Sequence, residues 1–266
     1  MDLDHARTVA VEAAEAAGAL LREGTRGVVG VRAKGDAGDV VTDLDLASEK
    51  LLLERILTAF PSHAVIAEES GLVGDGGGEW TWLVDPLDGT NNVAIGLPAF
   101  VVGVALCRDG RPVVGVVHDP VSACTWSAIR GRGALSSQGA RLAPPYAPSP
   151  HGPLLAWTQG YGVTRDDATV HALKTALERG ARRVLQLWAP LLSWAMLARG
   201  DIDGIVGYRA EAVDLPAGAL LAREAGIEIR ALDGGPFEAC IDAPAERRSF
   251  VAAHPRAIAG LLSLVP

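Results

Sequence analysis

The sequence predicts an α+β fold, in which strands and helices form separate layers. Apolar β-branched runs divided by short turn dipeptides follow one another in the first half, and segments of helical period flank them. Hydrophobic residues make up 49% of the 266 residues, which is enough for a large buried core. Strands and helices come in blocks rather than in strict alternation. This order favours packed α+β layers over a doubly wound parallel sheet.

In the first half, the spacing of apolar residues predicts two helices, at 4–23 and at 46–60, the second stopped by Pro61. Asp-Gly and Asp-Pro dipeptides divide the later apolar runs and predict consecutive antiparallel hairpins. The predicted strands lie within 63–70, 82–84, 100–120 and 124–129.

A proline-dense segment, "LAPPYAPSPHGP", predicts a boundary between an N-terminal subdomain of residues 1–142 and a C-terminal subdomain of residues 153–266. The helix at 214–226 is predicted to have Asp214 as its N-cap and Gly226 as its C-cap. The other elements predicted in the second half are strands at 154–159 and 204–208 and helices at 166–179 and 189–198.

Composition and charge restrict the class of protein. The formal net charge of −8 argues against binding to a nucleic-acid polymer, since no basic excess exists to displace counterions. Three cysteines without a C-x-x-C spacing fit a reducing compartment. The N-terminal segment lacks the pattern of a secretory signal, and no apolar run reaches membrane-spanning length. We therefore expect a cytoplasmic protein with no membrane partner.

The stretch "WLVDPLDGTNNV", residues 82–93, places two carboxylates directly after an apolar run. Asp85 and Asp88 have no Lys or Arg nearby in sequence, so their charges should repel one another. A cation between them would remove this cost. Hard oxygen ligands at strand and helix ends suit Mg²⁺. The carboxylates that stand at such predicted ends are Glu68, Asp85, Asp88 and Asp214.

The segment from Gly89 to Asn92 follows these acids and predicts the start of a short helix, whose backbone N–H groups would face an anion such as phosphate. Asp45 begins another predicted helix. Its carboxylate is a candidate to orient the Thr90 hydroxyl, although Asp43 could serve instead and either acid could simply cap the helix.

The motif "DPLDGTNN", with "AEES" upstream and "DLPAGALLAREAG" downstream, resembles the inositol monophosphatase family. The similarity runs in order from "DVVTDLD" to "GPFEA". The resemblance implies a layered α-β-α-β-α sandwich of the type shared with fructose bisphosphatase, and many members are dimers. It also implies hydrolysis of a small phosphorylated metabolite, dependent on two or three Mg²⁺ ions and often sensitive to lithium.

The resemblance further implies a role for each matching residue. The first metal would be held by Glu68, Asp85 and the Leu87 carbonyl, and the second by Asp85, Asp88 and Asp214. Glu68, Thr90 and Asp45 would activate the attacking water. The amides of Gly89 and Thr90 would bind phosphate. The residues expected to contact the substrate are Asp88, Gln186, Trp188 and Asp214.

The second half departs from the family pattern where the substrate is selected. The run "LQLWA", residues 185–189, replaces a run of small residues, and the acid that contacts an inositol hydroxyl would fall near Gly207. Val213 and Val93 replace a tryptophan and a phenylalanine. We hypothesise that the leaving group carries a ring, as in a nucleoside monophosphate. Three aromatic residues would stack on that ring: Trp157, Tyr161 and Trp188.

Three alternatives remain open at this stage. Asp85 and Asp88 could form a polar turn with Pro86 at its second position. The aspartate pair at Asp43 and Asp45 has the D-x-D spacing of haloacid dehalogenases, but no apolar strand of proper length precedes it. The chain could also bind a phosphate ligand without catalysis, which loss of a metal carboxylate would favour. No such carboxylate is missing.

Overall fold

The computed structural model describes residues 1–27, 29–34, 39–75 and 78–266. The helices are α1 (Leu3–Gly24), α2 (Asp43–Ala59), α3 (Thr90–Ala94), α4 (Ala168–Gly180), α5 (Pro190–Arg199), α6 (Pro216–Glu224) and α7 (Ile258–Leu262). The strands are β1 (Val31–Lys34), β2 (Asp39–Thr42), β3 (Ala64–Ala67), β4 (Gly71–Val73), β5 (Trp80–Asp88), β6 (Val101–Arg108), β7 (Arg111–Asp119), β8 (Cys124–Ile129), β9 (Gly133–Ser136), β10 (Arg141–Leu142), β11 (Leu154–Gln159), β12 (Arg183–Leu185), β13 (Gly204–Tyr208), β14 (Glu228–Ala231) and β15 (Phe250–Ala253).

The first half forms an eight-stranded sheet in the order β10-β9-β8-β7-β6-β5-β3-β4. The predicted hairpins are confirmed, because β6, β7 and β8 are sequential antiparallel neighbours. Among the described residues of this sheet, β3 and β5 are the one pair of neighbouring strands that run in parallel. Side chains of β6 point alternately into two separate cores, with Val102 and Val104 on one face and Val101 and Ala105 on the other. Burial on both faces explains the unbroken apolar run of this strand.

The second half forms a five-stranded mixed sheet in the order β12-β11-β13-β15-β14. Residues of β11 also alternate between two cores. Ala156 faces a core shared with α5 and α6, whereas Leu155 and Trp157 face a core shared with α4 and α7. Parallel pairing joins β11 to β12 and to β13, and the remaining pairs are antiparallel.

These cores stack the elements in five layers. Helices α1 and α2 cover the outer face of the first sheet, α5 and α6 fill the space between the sheets, and α4 and α7 cover the second sheet. The α+β fold and its α-β-α-β-α order are therefore confirmed. The proline-dense segment lies between the last strand of one sheet and the first of the other. Division into subdomains of 1–142 and 153–266 stays a prediction, because the middle helices pack on both sheets.

The structure corrects two local predictions around the site. The expected turn after Val84 is instead the continuation of β5, whose pairing with β6 is irregular between Asp85 and Asp88. Asp214 was expected to cap α6, but Leu215 occupies that position and no side chain caps the helix. The Asp214 carboxylate lies instead beside the acids of β5. The helix ends one residue earlier than expected, with Gly226 just after the C-cap.

Several elements were not predicted. They are the antiparallel pair β1–β2, short strands such as β9 and β12, the pair β14–β15 at one edge of the second sheet, and the helix α7. These segments have two to five residues, too few to show a period. Among the described residues, no helix has the length and hydropathy to cross a bilayer.

Candidate active site

Three carboxylates meet where β5 approaches the start of α6. Asp85, Asp88 and Asp214 each place an oxygen within 4.8 Å of the others. The irregularity of β5 brings Asp85 and Asp88 to the same side, which regular alternation would not do for residues three apart. Asp85 is only 3% exposed and Asp88 only 5% exposed. The structure thus brings together three of the residues expected to hold metal.

Electrostatics explain why this cluster suits a cation. Burial raises the pKa of Asp85 well above its ordinary value, and the neighbouring carboxylates of Glu68, Asp88 and Asp214 raise it further. Burial and Asp214 likewise raise the pKa of Asp88. The raised pKa of each group reflects the repulsion between ionised carboxylates in a region poor in water. A divalent cation would remove that repulsion, so these residues fit a metal such as Mg²⁺.

Asp88 is held by the second half of the chain. Its Oδ2 accepts hydrogen bonds from the backbone N–H groups of Leu191 at 2.8 Å and Leu192 at 3.2 Å, in the first turn of α5. These two bonds lower its pKa and partly offset the effect of burial. Asp85 is oriented locally, since its Oδ1 accepts from the N–H of Leu87 at 3.1 Å. The site is therefore built from both sheets and the helices between them.

Beside the acids, the Thr90 hydroxyl lies 2.7 Å from Oδ1 of Asp45 and 3.0 Å from the Leu87 carbonyl oxygen. Oδ2 of Asp45 accepts from the backbone N–H of Thr42 at 2.8 Å, closing the capping box of α2. The same carboxylate thus caps the helix and contacts Thr90. Asp43, the alternative partner, is exposed and pairs with Arg32 instead, because it lies on another face of the first helical turn.

Glu68 follows β3 and lines the cleft, and its carboxylate accepts a hydrogen bond from the Lys34 ammonium at 3.1 Å. The same ammonium lies 2.7 Å from Glu69. Burial raises the pKa of Glu68, and Lys34 opposes that change. The residues that follow Glu68 are held by the buried Glu49, whose carboxylate accepts hydrogen bonds from the backbone N–H of Glu69 at 2.8 Å and from the Ser70 hydroxyl. Neither Lys34 nor Glu49 was predicted from the sequence to belong to this site.

Gly89 occupies the turn between β5 and α3 with a φ of 110°, in the left-handed region that favours glycine. A Cβ atom there would lie 2.8 Å from the Ala99 carbonyl oxygen. Both the backbone angle and the space therefore require glycine. Gly89 and Thr90 both line the cleft, and binding of phosphate by their amides stays a prediction.

The carboxylates form the floor of a cleft of about 780 Å³, within the usual range for small-molecule sites. Gln186 and Trp188 line it, and their contact with a substrate stays a prediction. Trp188 is 54% exposed and Tyr161 is 49% exposed. Trp157 also borders the cleft but is almost completely buried. Of the three aromatic residues expected to stack on a ring, two therefore present open surface.

Two further residues shape this wall. Asn92 donates from Nδ2 to the carbonyl oxygens of Ala99 at 2.6 Å and of Leu187, which ties α3 to the loop that carries Trp188. Glu211 lines the cleft three residues before Asp214. No single segment of sequence signals either role, because both depend on contacts between distant parts of the chain.

Gly207, where the family pattern suggested an acid, lies in β13 opposite Phe250 of β15. A Cβ atom at Gly207 would lie 2.3 Å from the ring of Phe250. That ring stacks on Trp194 with their centroids 4.9 Å apart. The space next to Gly207 is thus filled by the shared core.

Comparison with known proteins agrees with this architecture. The profile of the inositol monophosphatase family matches residues 2–265. The chloroplastic phosphatase IMPL1 of Arabidopsis thaliana is 35% identical over 210 residues, which cover 75% of this chain and 55% of that longer protein. The Nus factor SuhB of Pasteurella multocida is 33% identical over 229 residues, or 85% of each chain.

Solved structures give the same result. The inositol monophosphatase of Anabaena superposes with a TM-score of 0.84 at 30% identity, covering 100% of this chain and 98% of that one. The extragenic suppressor protein SuhB of Bartonella henselae gives a TM-score of 0.85 at 26% identity, covering 97% of both chains. The fold, the order of the motifs and these matches show that the chain belongs to the inositol monophosphatase family.

Proposed function

We propose that this protein hydrolyses a small phosphate monoester with the help of Mg²⁺ ions. The observation that carries the proposal is the buried cluster of Asp85, Asp88 and Asp214 beside the Thr90–Asp45 pair, at the floor of an open cleft. The names of the relatives, which include a phosphatase and inositol monophosphatases, support the same reaction class.

The proposed metal ligands follow from the family pattern and from the cluster. One ion would be held by Glu68, Asp85 and the Leu87 carbonyl, and another by Asp85, Asp88 and Asp214. When bound, Mg²⁺ would polarise the phosphoryl group, help to form the nucleophile and stabilise the leaving oxygen. The amides of Gly89 and Thr90 would orient the phosphate. We expect two or three ions.

The Thr90 hydroxyl would take a proton from the attacking water and pass its own proton to Asp45. This transfer is possible because Oδ1 of Asp45 faces Thr90 at 2.7 Å, whereas Oδ2 is engaged by Thr42. The hydroxyl carries one proton and has two acceptors, Asp45 and the Leu87 carbonyl oxygen. If the Leu87 carbonyl oxygen also bound the first metal ion, as proposed above, the hydroxyl proton would be directed to Asp45. Glu68 would help to place the water.

Phosphate release from a panel of monoesters, with Mg²⁺ and with a chelator, tests the proposal. We expect release that requires Mg²⁺ and that falls to background in Asp88→Asn, with the fold retained. Asp201→Asn, an exposed acid outside the cleft, serves as the matched control. Full activity in Asp88→Asn would contradict the proposed ligand set.

A non-catalytic, phosphate-binding role is the main alternative, because several relatives carry the name Nus factor SuhB rather than that of a phosphatase. The complete set of acids argues against it. Absence of release from every ester, together with Mg²⁺-dependent binding of phosphate, would favour that alternative. A homodimer and a cytoplasmic location, both expected from the sequence, stay predictions that light scattering and cell fractionation can test.

A further inference from the structure

Trp188 combines a strained backbone with an exposed ring. Its φ of 53° is unusual for a residue with a large side chain. Its neighbours are fixed, since the Leu187 carbonyl is held by Asn92 and Ala189 is the buried N-cap of α5. The indole is nevertheless 54% exposed at the cleft. A strained residue that presents an apolar ring in a cleft indicates a binding role.

Tyr161 and Glu211 form a second feature of the same cleft. The backbone N–H of Tyr161 donates to Oε1 of Glu211 at 2.9 Å, which fixes the carboxylate beside the exposed tyrosine. Nη1 of Arg248 lies 3.9 Å from Oε2, too far for a hydrogen bond. Oε2 of Glu211 therefore keeps acceptor capacity for a ligand. This side chain is 35% exposed.

The charges of the cleft agree with a ligand that donates hydrogen bonds. Among its described lining residues are five carboxylates and two cations, Lys34 and Arg165. Glu68 and the aspartate cluster account for four of the acids. Glu211 is the remaining one, and it lines the cleft beside Tyr161. Lys34 is paired with Glu68 and Glu69, and the cation nearest to Glu211 is Arg248, which forms a long ion pair with Oε2 at 3.9 Å.

We propose that Trp188, Tyr161 and Glu211 form a subsite for the leaving alcohol, which carries a flat nitrogen-bearing ring with an N–H donor. This inference rests on the phosphatase function proposed above. The aromatic faces bind the flat ring, and they also attract a ring that carries positive charge. Glu211 accepts the N–H hydrogen bond, which a purely hydrocarbon ring cannot supply.

The test compares kcat/KM, in the presence of Mg²⁺, for esters that differ in the leaving group. Imidazolylethyl phosphate and adenosine monophosphate supply nitrogen-bearing rings of two sizes. Phenylethyl phosphate supplies a ring without the donor, and myo-inositol phosphate and glycerol phosphate lack a flat ring. We expect a nitrogen-bearing ring to be preferred over glycerol phosphate by about tenfold or more.

Two variants separate the parts of the subsite. Trp188→Ala should lower the ratio of ring-bearing to glycerol ester by about tenfold, whereas Trp188→Phe should retain most of it. Glu211→Gln should lower the preference for the imidazolyl over the phenyl ester. Glu246→Gln, an exposed acid away from the cleft, should change neither ratio. Thermal unfolding confirms that each variant is folded.

The outcomes distinguish this inference from the function on which it rests. Mg²⁺-dependent release that shows no preference for rings, or ratios unchanged in Trp188→Ala and Glu211→Gln, would overturn the subsite and leave the phosphatase function intact. If no ester is hydrolysed, the phosphatase function fails. Calorimetry with imidazolylethyl phosphate and glycerol phosphate then decides: tighter binding of the ring ester that weakens in Trp188→Ala supports the subsite, and equal affinities reject it.

Discussion

At the scale of single residues, Asp45 joins the local structure to the candidate chemistry. One of its oxygens completes the capping box of α2 with Thr42, and the other faces the Thr90 hydroxyl. The helix cap therefore fixes the carboxylate that Thr90 needs. Structural and catalytic explanations of this residue do not compete, since each uses a different oxygen.

We predict that Thr90→Val lowers kcat by roughly 10²–10⁴, the range typical of a lost proton-transfer group. Valine has nearly the same shape as threonine but carries no hydroxyl, so the contact with Asp45 is lost while the packing is kept. Thr90→Ser restores the hydroxyl and should recover most of the activity. Steady-state phosphate release measures both, and equal rates for the valine and serine variants would contradict the assignment.

The residues of the candidate site differ in how far sequence reveals them. Asp85, Asp88 and Thr90 fall within one short motif, so their proximity could be predicted. Glu211 and Asn92 could not be found in this way, because their contacts join segments far apart in the chain. The choice of Asp45 over Asp43 also needed the structure, since sequence does not show which face of the first helical turn meets Thr90.

At the scale of elements, two buried histidines connect strands to their surroundings. The indole Nε1 of Trp82 donates to Nδ1 of His63 at 3.0 Å, which requires that nitrogen to be unprotonated. Nδ1 of the buried His118 lies 2.9 Å from the Thr125 hydroxyl, which donates to the exposed Glu15. Burial lowers the pKa of both histidines below the ordinary value of 6.5. Each is therefore neutral in the folded protein near neutral pH.

We predict that acid destabilises the protein in part through His63. Because its pKa is lower in the folded than in the unfolded chain, the unfolded chain takes up the proton first. The stabilising contribution is present above pH 6.5 and is lost as the pH falls toward the folded pKa. His63→Gln keeps an acceptor for Trp82 and removes the titration. Its free energy of unfolding should therefore fall less between pH 7.5 and pH 5.5 than that of the wild type.

Urea unfolding at the two pH values measures this difference, and His151→Gln at an exposed position is the control. The carboxylates of the site change the profile in the opposite direction, since their raised pKa values favour proton uptake by the folded chain. The contribution of His63 is therefore the difference between the variant and the wild type in how far the free energy of unfolding falls between the two pH values. Identical losses in His63→Gln and wild type would show that His63 is not responsible.

Elements with strong periodicity or clear turn signals were predictable. The helix α1 followed from the spacing of its apolar residues, and the hairpins of β6, β7 and β8 followed from apolar runs divided by Asp-Gly and Asp-Pro. The end of β5 was not predictable, because Pro86 and Gly89 suggested a turn. The strand continues there through an irregular register instead. Tertiary pairing with β6 overrides the local preference there.

At the scale of the whole molecule, the site depends on both sheets. Asp88 belongs to β5 but is held by the first turn of α5, and Asp214 precedes α6. These helices lie in the core that the two sheets share. Binding of a cation to the cluster should therefore stabilise the assembled protein as a unit, since unfolding of either half would disrupt the site.

We predict that Mg²⁺ raises the melting temperature. An ion present at about 100 times its Kd would add about 2.7 kcal/mol to the stability, which corresponds to roughly 5–10 °C for a chain of this size. Asp88→Asn should lose most of that rise, and its metal-free form should be no less stable than the wild type, because repulsion with Asp85 and Asp214 is removed. Calorimetric scans with Mg²⁺ and with a chelator measure both quantities.

The same Mg²⁺ response in Asp88→Asn and wild type would exclude Asp88 as a ligand. Asp201→Asn is the control, since this exposed acid lies outside the cleft. The overall architecture behind this prediction was available from the sequence, because the order of the motifs indicated the family fold. The packing of α5 and α6 between the sheets could not be predicted from the sequence, because a helix that is buried on several sides shows no distinctive hydrophobic period.

The packing of Gly207 against Phe250 limits which substitutions this part of the fold can accept. Any side chain at Gly207 would collide with a ring that is itself stacked on Trp194. A mutation that placed an acid there would first pass through a misfolded or weakened protein unless Phe250 had already become smaller. An acid at this position is therefore reachable only together with a second substitution that makes room for it. The order in which the two substitutions arise determines whether an evolving lineage can take that route.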